Sequence, residues 1–223
     1  MNSRTPKRYS IPLSPTKGSP SISKKRSSGV GAGIVAGLRS AGADVLEVGP
    51  ARSRAEAAAA LAAAPMLRSF VHAEVVGGPR RALVELSARE WGAACDDVLR
   101  VTFFWLQAAF DRLRDRGGRI VVVVPIVGMT GGAGLGPQAA AAEGQRTLVK
   151  SAARLWGRYG VTLNCVAVAL ERDESASLAP PALGREPEPA ADIAPVVAFL
   201  AGDGSRFLTG ATLCLDGGAW MSP

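Results

Sequence analysis

Apolar and polar positions alternate along the chain in two periods, and the switches between them mark out helices and strands. Residues 29–42, GVGAGIVAGLRSAG, predict a helix, and DVLEVG (44–49) predicts a short strand. SRAEAAAALAAA (53–64) predicts an Ala-rich helix, and RSFVHAEVV (68–76) a strand. The long stretch 87–118 opens with Ser87 and has Glu90 three positions on, the signature of a capping box, and it ends at Gly117-Gly118. RIVVVVPIVG (119–128) is a continuous apolar run, as expected of a parallel strand covered on both faces. A long helix follows from residue 136, then VTLNCVAVAL (161–170), a second buried strand. A Pro-rich loop leads to the helix ADIAPVVAFLAG and the strand TLCLDGG. Strands and helices in this alternation predict βαβ units and a doubly wound parallel sheet of the α/β class.

Composition places this pattern in one domain. The chain has 223 residues, 48% hydrophobic and 20% charged, and no apolar run reaches the roughly 20 residues of a membrane helix. Cys95, Cys165 and Cys214 are odd in number and contain no CxxC pair, which argues against a disulfide framework or zinc site and for a reduced, cytoplasmic compartment. With His72 the only histidine, a metal site or a nucleophile–His relay has almost no material, and no metal is expected.

Charge then separates the ends. The net charge is +7, and residues 1–28 carry seven basic residues and no acidic one, leaving the body neutral. This arm is rich in Ser, Pro and Lys, which predicts a disordered tail ahead of a domain at 29–223. An organelle-targeting segment or a weak phosphate contact are the other readings of its composition. No aromatic interleaving points to nucleic-acid reading, so nucleic acid is not an expected partner.

Two stretches go beyond a fold class. SSGVGAGIVAGLRSAGADV (27–45) resembles the dinucleotide loop and first helix of the short-chain dehydrogenase/reductases, a Rossmann-like family. ADIAPVVAFLAGDGSRFLTGATLCLDGG (191–218) is similar to that family's last helix, turn and strand, in its 3-oxoacyl-[acyl-carrier-protein] reductase branch. GRI (118–120) and LVKSAARLWGRYGVTLNCVA (148–167) fall in the same order and spacing, so the resemblance covers nearly all of 27–220.

The resemblance implies a nicotinamide cofactor held by a glycine loop, and here the loop is incomplete. Its second half aligns with Ser28, Gly29, Val30 and Gly31, but Lys25 stands where the first glycine belongs. The strand before it is eroded, because SPSISK offers only Ile22 and contains Pro20. Beyond the second strand, where the family selects NAD or NADP, stand Gly49 and Pro50, with Arg52 and Arg54 as the nearest groups for a 2′-phosphate. One strand–helix unit is missing between Val48 and Phe70. No cofactor is therefore expected, or NADP(H) if the site still works.

The catalytic positions depart as well. The family's Tyr and Lys align with Gln138 and Ala142, its Ser with Pro125, and its Asn with Thr102. Neither Gln nor Ala supplies a proton near neutral pH. Tyr159 and Lys150 lie too far along the same helix to stand in, Glu143 turns away from the pocket, and His72 with Glu74 is the remaining acid/base candidate.

What the resemblance leaves intact is architecture. It implies association through the helix around 98–110, the helix from residue 136 and the last strand. Phe104, Trp105, Leu148, Leu155, Trp156 and Trp220 are the candidate contacts. The expected role is a non-catalytic structural or regulatory subunit, paired with itself or with an active paralogue. The alternatives are an NADP(H)-dependent oxidoreductase of 3-oxoacyl or other carbonyl substrates with altered catalytic residues, and a binding module using the basic arm.

Overall fold

The computed structural model describes residues 29–64, 66–73, 80–169 and 180–221. Four strands form one parallel sheet in sequential order: β1 (Ser69–His72), β2 (Gly118–Pro125), β3 (Val161–Val168) and β4 (Thr212–Leu215). Ser69 pairs with Arg119, Gly118 with Val161, and Cys165 with Thr212.

Side chains along β2 and β3 point alternately to two apolar layers. Ile120, Val122, Val124, Leu163 and Cys165 meet α2 (Arg54–Ala62), α4 (Asp97–Leu113) and α6 (Gly136–Trp156) on one face. Val121, Val123, Val166 and Val168 meet α1 (Gly29–Ser40) and α7 (Ala194–Ala201) on the other. Every residue of β3 is buried, which is why these strands read as unbroken apolar runs rather than as an alternation.

The sequence expectation of a strand at 44–49 is corrected. Residues 43–50 carry no ladder, and among the described residues β1 has only β2 beside it, so this segment has no strand to pair with. Its apolar residues still pack, Val45 against one layer and Val48 against the other. The eroded first strand predicted within residues 1–28 lies outside the described residues, as does the whole basic arm.

The capping box at Ser87 is present. Ser87 Oγ accepts from the Glu90 amide at 3.2 Å, and the Glu90 carboxylate accepts from the Ser87 amide at 3.0 Å. The helix it starts, α3 (Ala88–Trp91), passes through a π-helical turn at Gly92–Asp96 before α4 begins, a feature the periodicity does not carry.

The glycines of α1 have a packing role. A Cβ on Gly33 would lie 2.5 Å from Pro189 Cβ, and one on Gly37 2.5 Å from Ala194 Cβ. These two positions, one turn apart, let α1 lie directly on the segment that opens α7. At the other end of the chain, the Asp216 carboxylate accepts from the amides of Gly218 (3.0 Å) and Trp220 (2.8 Å). Gly217 and Gly218 have φ of +64° and +83°, a region that only glycine enters freely, which accounts for the DGG sequence.

Candidate functional site

The carboxyl ends of β1 and β2, with the start of α6, bring the predicted catalytic positions to one side of the sheet. They also fill that side with internal contacts. Thr102, on α4, is fully buried, and its hydroxyl is shared by three groups. Thr102 Oγ1 donates to the Val98 carbonyl at 2.9 Å and accepts from Gln145 Nε2 at 2.8 Å. His72 Nε2 lies 3.0 Å away. A hydroxyl has one proton to give, so the histidine must be the donor, which fixes the Nε2–H tautomer. Burial lowers the His72 pKa to about 4 and keeps the ring neutral. His72 is thus tied into a polar knot joining β1, α4 and α6, with its Nε2 proton already used. Glu74, its proposed acid/base companion, lies outside the described residues.

Pro125 ends β2 in register with Val168 and contributes no side-chain polar atom. Gln138 and Ala142 sit on the buried face of α6. Ala142 is completely buried, and a Cβ added to Gly128 of α5 (Val127–Thr130) would fall 2.7 Å from its methyl group. Gln138 is 5% exposed, and its Oε1 has no hydrogen-bond partner. A buried amide oxygen left this way costs about 1–3 kcal/mol. No described group beside it supplies a titratable proton in the way the family's tyrosine does.

At the candidate cofactor end, Ser28 and Lys25 lie outside the described residues. Gly29 opens α1 with free space where a Cβ would stand. Val30 is turned into the core beside Ile34 and Leu38, and Gly31 is half-buried. Arg52 is exposed, and its backbone amide donates to Glu56 at 2.8 Å. Arg54 is paired with Asp111 across to α4. At the ribose position the described residues do not fit the family's cofactor: Ala142 has no group to hold a hydroxyl. Among these residues no cluster of His, Cys, Asp and Glu has the makings of a metal site.

The interface candidates divide. Trp105 is 2% exposed and stacks on Phe70 with ring centroids 5.4 Å apart, so it is a core residue and not a contact. Phe104, Leu148, Trp156 and Trp220 are partly buried against the same core, Trp156 stacked on Phe110 at 4.4 Å. Leu155 is exposed. Phe103, also exposed, belongs with it, and only the rotation of α4 relative to α6 distinguishes it from Phe104. Glu143 bonds Arg146, which in turn donates to Thr212 Oγ1 at 3.2 Å, linking α6 to β4. Cys165 is buried beside this link, and desolvation pushes its thiol up to about 12, so it stays protonated.

The model of the family described as Enoyl-(Acyl carrier protein) reductase matches residues 55–219. The chain belongs to the short-chain dehydrogenase/reductase family. This short-chain dehydrogenase/reductase is 33% identical over 153 residues to the (3R)-3-hydroxyacyl-CoA dehydrogenase of Rattus norvegicus, covering 62% of the chain and 58% of that protein. It is also 33% identical over 150 residues to the 3-oxoacyl-[acyl-carrier-protein] reductase of Staphylococcus aureus, covering 62% and 61%. The chain thus spans about six tenths of the length of the curated relatives it matches. A short-chain type dehydrogenase/reductase from Mycobacterium ulcerans shares its fold, with a TM-score of 0.77 at 23% identity over 86% of each chain. No described helix is long and apolar enough to cross a membrane.

Proposed function

We propose that this short-chain dehydrogenase/reductase is a non-catalytic subunit that works by association, with itself or with an active paralogue. The observation that carries the reading is the occupancy of the catalytic positions. Thr102, Pro125, Gln138 and Ala142 stand where the family places its Asn, Ser, Tyr and Lys. General-acid catalysis requires a titratable proton within reach of the substrate oxygen, a contribution of roughly 10²–10⁴ in rate. An amide and a methyl group provide none. His72, the nearest titratable group, already spends its Nε2 proton on Thr102. Burial of Ala142 removes the group that would hold the cofactor's ribose and lower a tyrosine pKa.

The test is spectrophotometric. Purified full-length protein, NADPH and a 3-oxoacyl thioester are expected to give no loss of nicotinamide absorbance above the uncatalysed rate. Turnover that disappears on Gln138→Ala would overturn the reading and establish an oxidoreductase with altered catalytic residues. Affinity capture from the native host then asks whether a family member carrying Tyr and Lys comes down with it. Loss of any captured partner on removing residues 2–26 would instead assign binding to the basic arm.

A further inference from the structure

The outward side of α6 is exposed, and its pattern is self-complementary. Ala140, Gly144, Thr147 and Ser151 recur at intervals of three and four along it, Thr147 and Ser151 fully in solvent. Small residues in that spacing let a second helix approach closely. Glu143 and Arg154 flank this stripe. They are eleven residues apart, about three turns, so both stand on the same side of the helix. Glu143 is five residues before Leu148 and Arg154 six after it, about 8 and 9 Å from that level. The Glu143 side chain is 45% exposed although it bonds Arg146. Arg154 is exposed and has no ion-pair partner among the described residues.

Apolar area lies beside the stripe. Gly144 packs on Leu99, and Trp156 stacks on Phe110, so α4 and α6 run side by side with Phe103 at the height of Leu148. Phe103 is 46% exposed and Leu155 55%. These side chains extend the small stripe into a continuous apolar strip.

We propose that this face binds a second copy of the chain, the two α6 helices antiparallel about a two-fold axis level with Leu148. Reversing the helix about that level carries Glu143 of one copy to the height of Arg154 of the other, and the symmetry forms the pair twice. An isologous contact demands a surface complementary to its own reversal. One acid and one base at matched distances from the centre, on one side of one helix, satisfy that demand. A partner with a different sequence does not require it. The proposal rests on the subunit role above and names the partner as the chain itself.

Sedimentation velocity on the full chain alone tests it, independently of the turnover assay. The expected particle has twice the 22.9 kDa mass of the chain. Arg154→Glu sets acid against acid twice and is expected to weaken dimerisation roughly tenfold or more. Glu143→Lys combined with Arg154→Glu is expected to recover most of that loss. Ser151→Trp, at an exposed position, blocks close helix approach and is expected to give monomers with unchanged circular dichroism. A monomeric wild-type protein would overturn the proposal. So would Arg154→Glu and Ser151→Trp dimerising as well as wild type, or a charge swap no better than the single reversal. Absence of turnover with a monomeric chain would leave the catalytic reading standing and sink only this one.

Discussion

At the scale of single residues, the knot of Thr102, His72 and Gln145 decides how the emptied site behaves. Thr102→Val keeps the shape and removes the hydroxyl, leaving Gln145 Nε2 and His72 Nε2 unpaired in the core. The expected loss is about 2–4 kcal/mol, read from urea unfolding at neutral pH. His72 adds a pH dependence of definite sign. Its folded pKa of about 4 lies below the 6.5 of an unfolded chain, because burial disfavours the charged ring. The unfolded chain therefore binds the proton first on acidification. The stabilisation is complete above pH 6.5, falls between there and about pH 4, and amounts to roughly 3 kcal/mol. Urea midpoints measured across this window should fall, and His72→Gln should flatten the fall. A midpoint that stays level in the wild type would show that the ring is not held neutral.

At the scale of elements, glycine position separates packing from cofactor cradling in α1. Gly37→Ala would drive a methyl group to 2.5 Å from Ala194 Cβ and 2.6 Å from the Ala190 carbonyl oxygen. It is expected to cost about 1–3 kcal/mol through overpacking. Gly29→Ala meets nothing within 4 Å and removes backbone freedom from the unfolded chain, so a gain of about 0.5–1 kcal/mol is expected. Thermal melts of the two variants should move in opposite directions. Equal shifts would contradict the close docking of α1 on α7. The same comparison explains the limits of the glycine pattern. The one-turn spacing of Gly33 and Gly37 is visible in sequence, but its meaning depends on Pro189 and Ala190, more than 150 residues away.

At the scale of the whole molecule, Arg119 ties the amino-terminal edge of the sheet together. Its side chain is 14% exposed, and it donates to the carbonyls of Gly118 (3.0 Å), Gly160 (3.4 Å) and Gly202 (3.4 Å). It also lies 3.9 Å from the Asp203 carboxylate. It thereby joins the start of β2, the turn before β3 and the end of α7. Arg119→Ala is expected to cost about 2–3 kcal/mol in chemical denaturation. Arg119→Lys should recover little, since one ammonium cannot span carbonyls on three elements. Full rescue by lysine would assign the effect to charge rather than to the fork of the guanidinium.

The parallel sheet, the buried strands and the capped helix at Ser87 were legible in the sequence, because apolar period and capping chemistry are local. So were the departures at Thr102, Pro125, Gln138 and Ala142, since register against a family motif is a one-dimensional property. Whether residues 44–49 would be a strand was not, because a strand exists only when another backbone lies beside it. Nor could the chain show that Trp105 is spent on Phe70 while Phe103 faces outward, or that the hydroxyl of Thr102 holds His72 and Gln145 together. Those facts depend on distances between elements far apart in sequence. By itself the sequence determined which groups this site lacks, while the tertiary structure decided what the remaining groups bind.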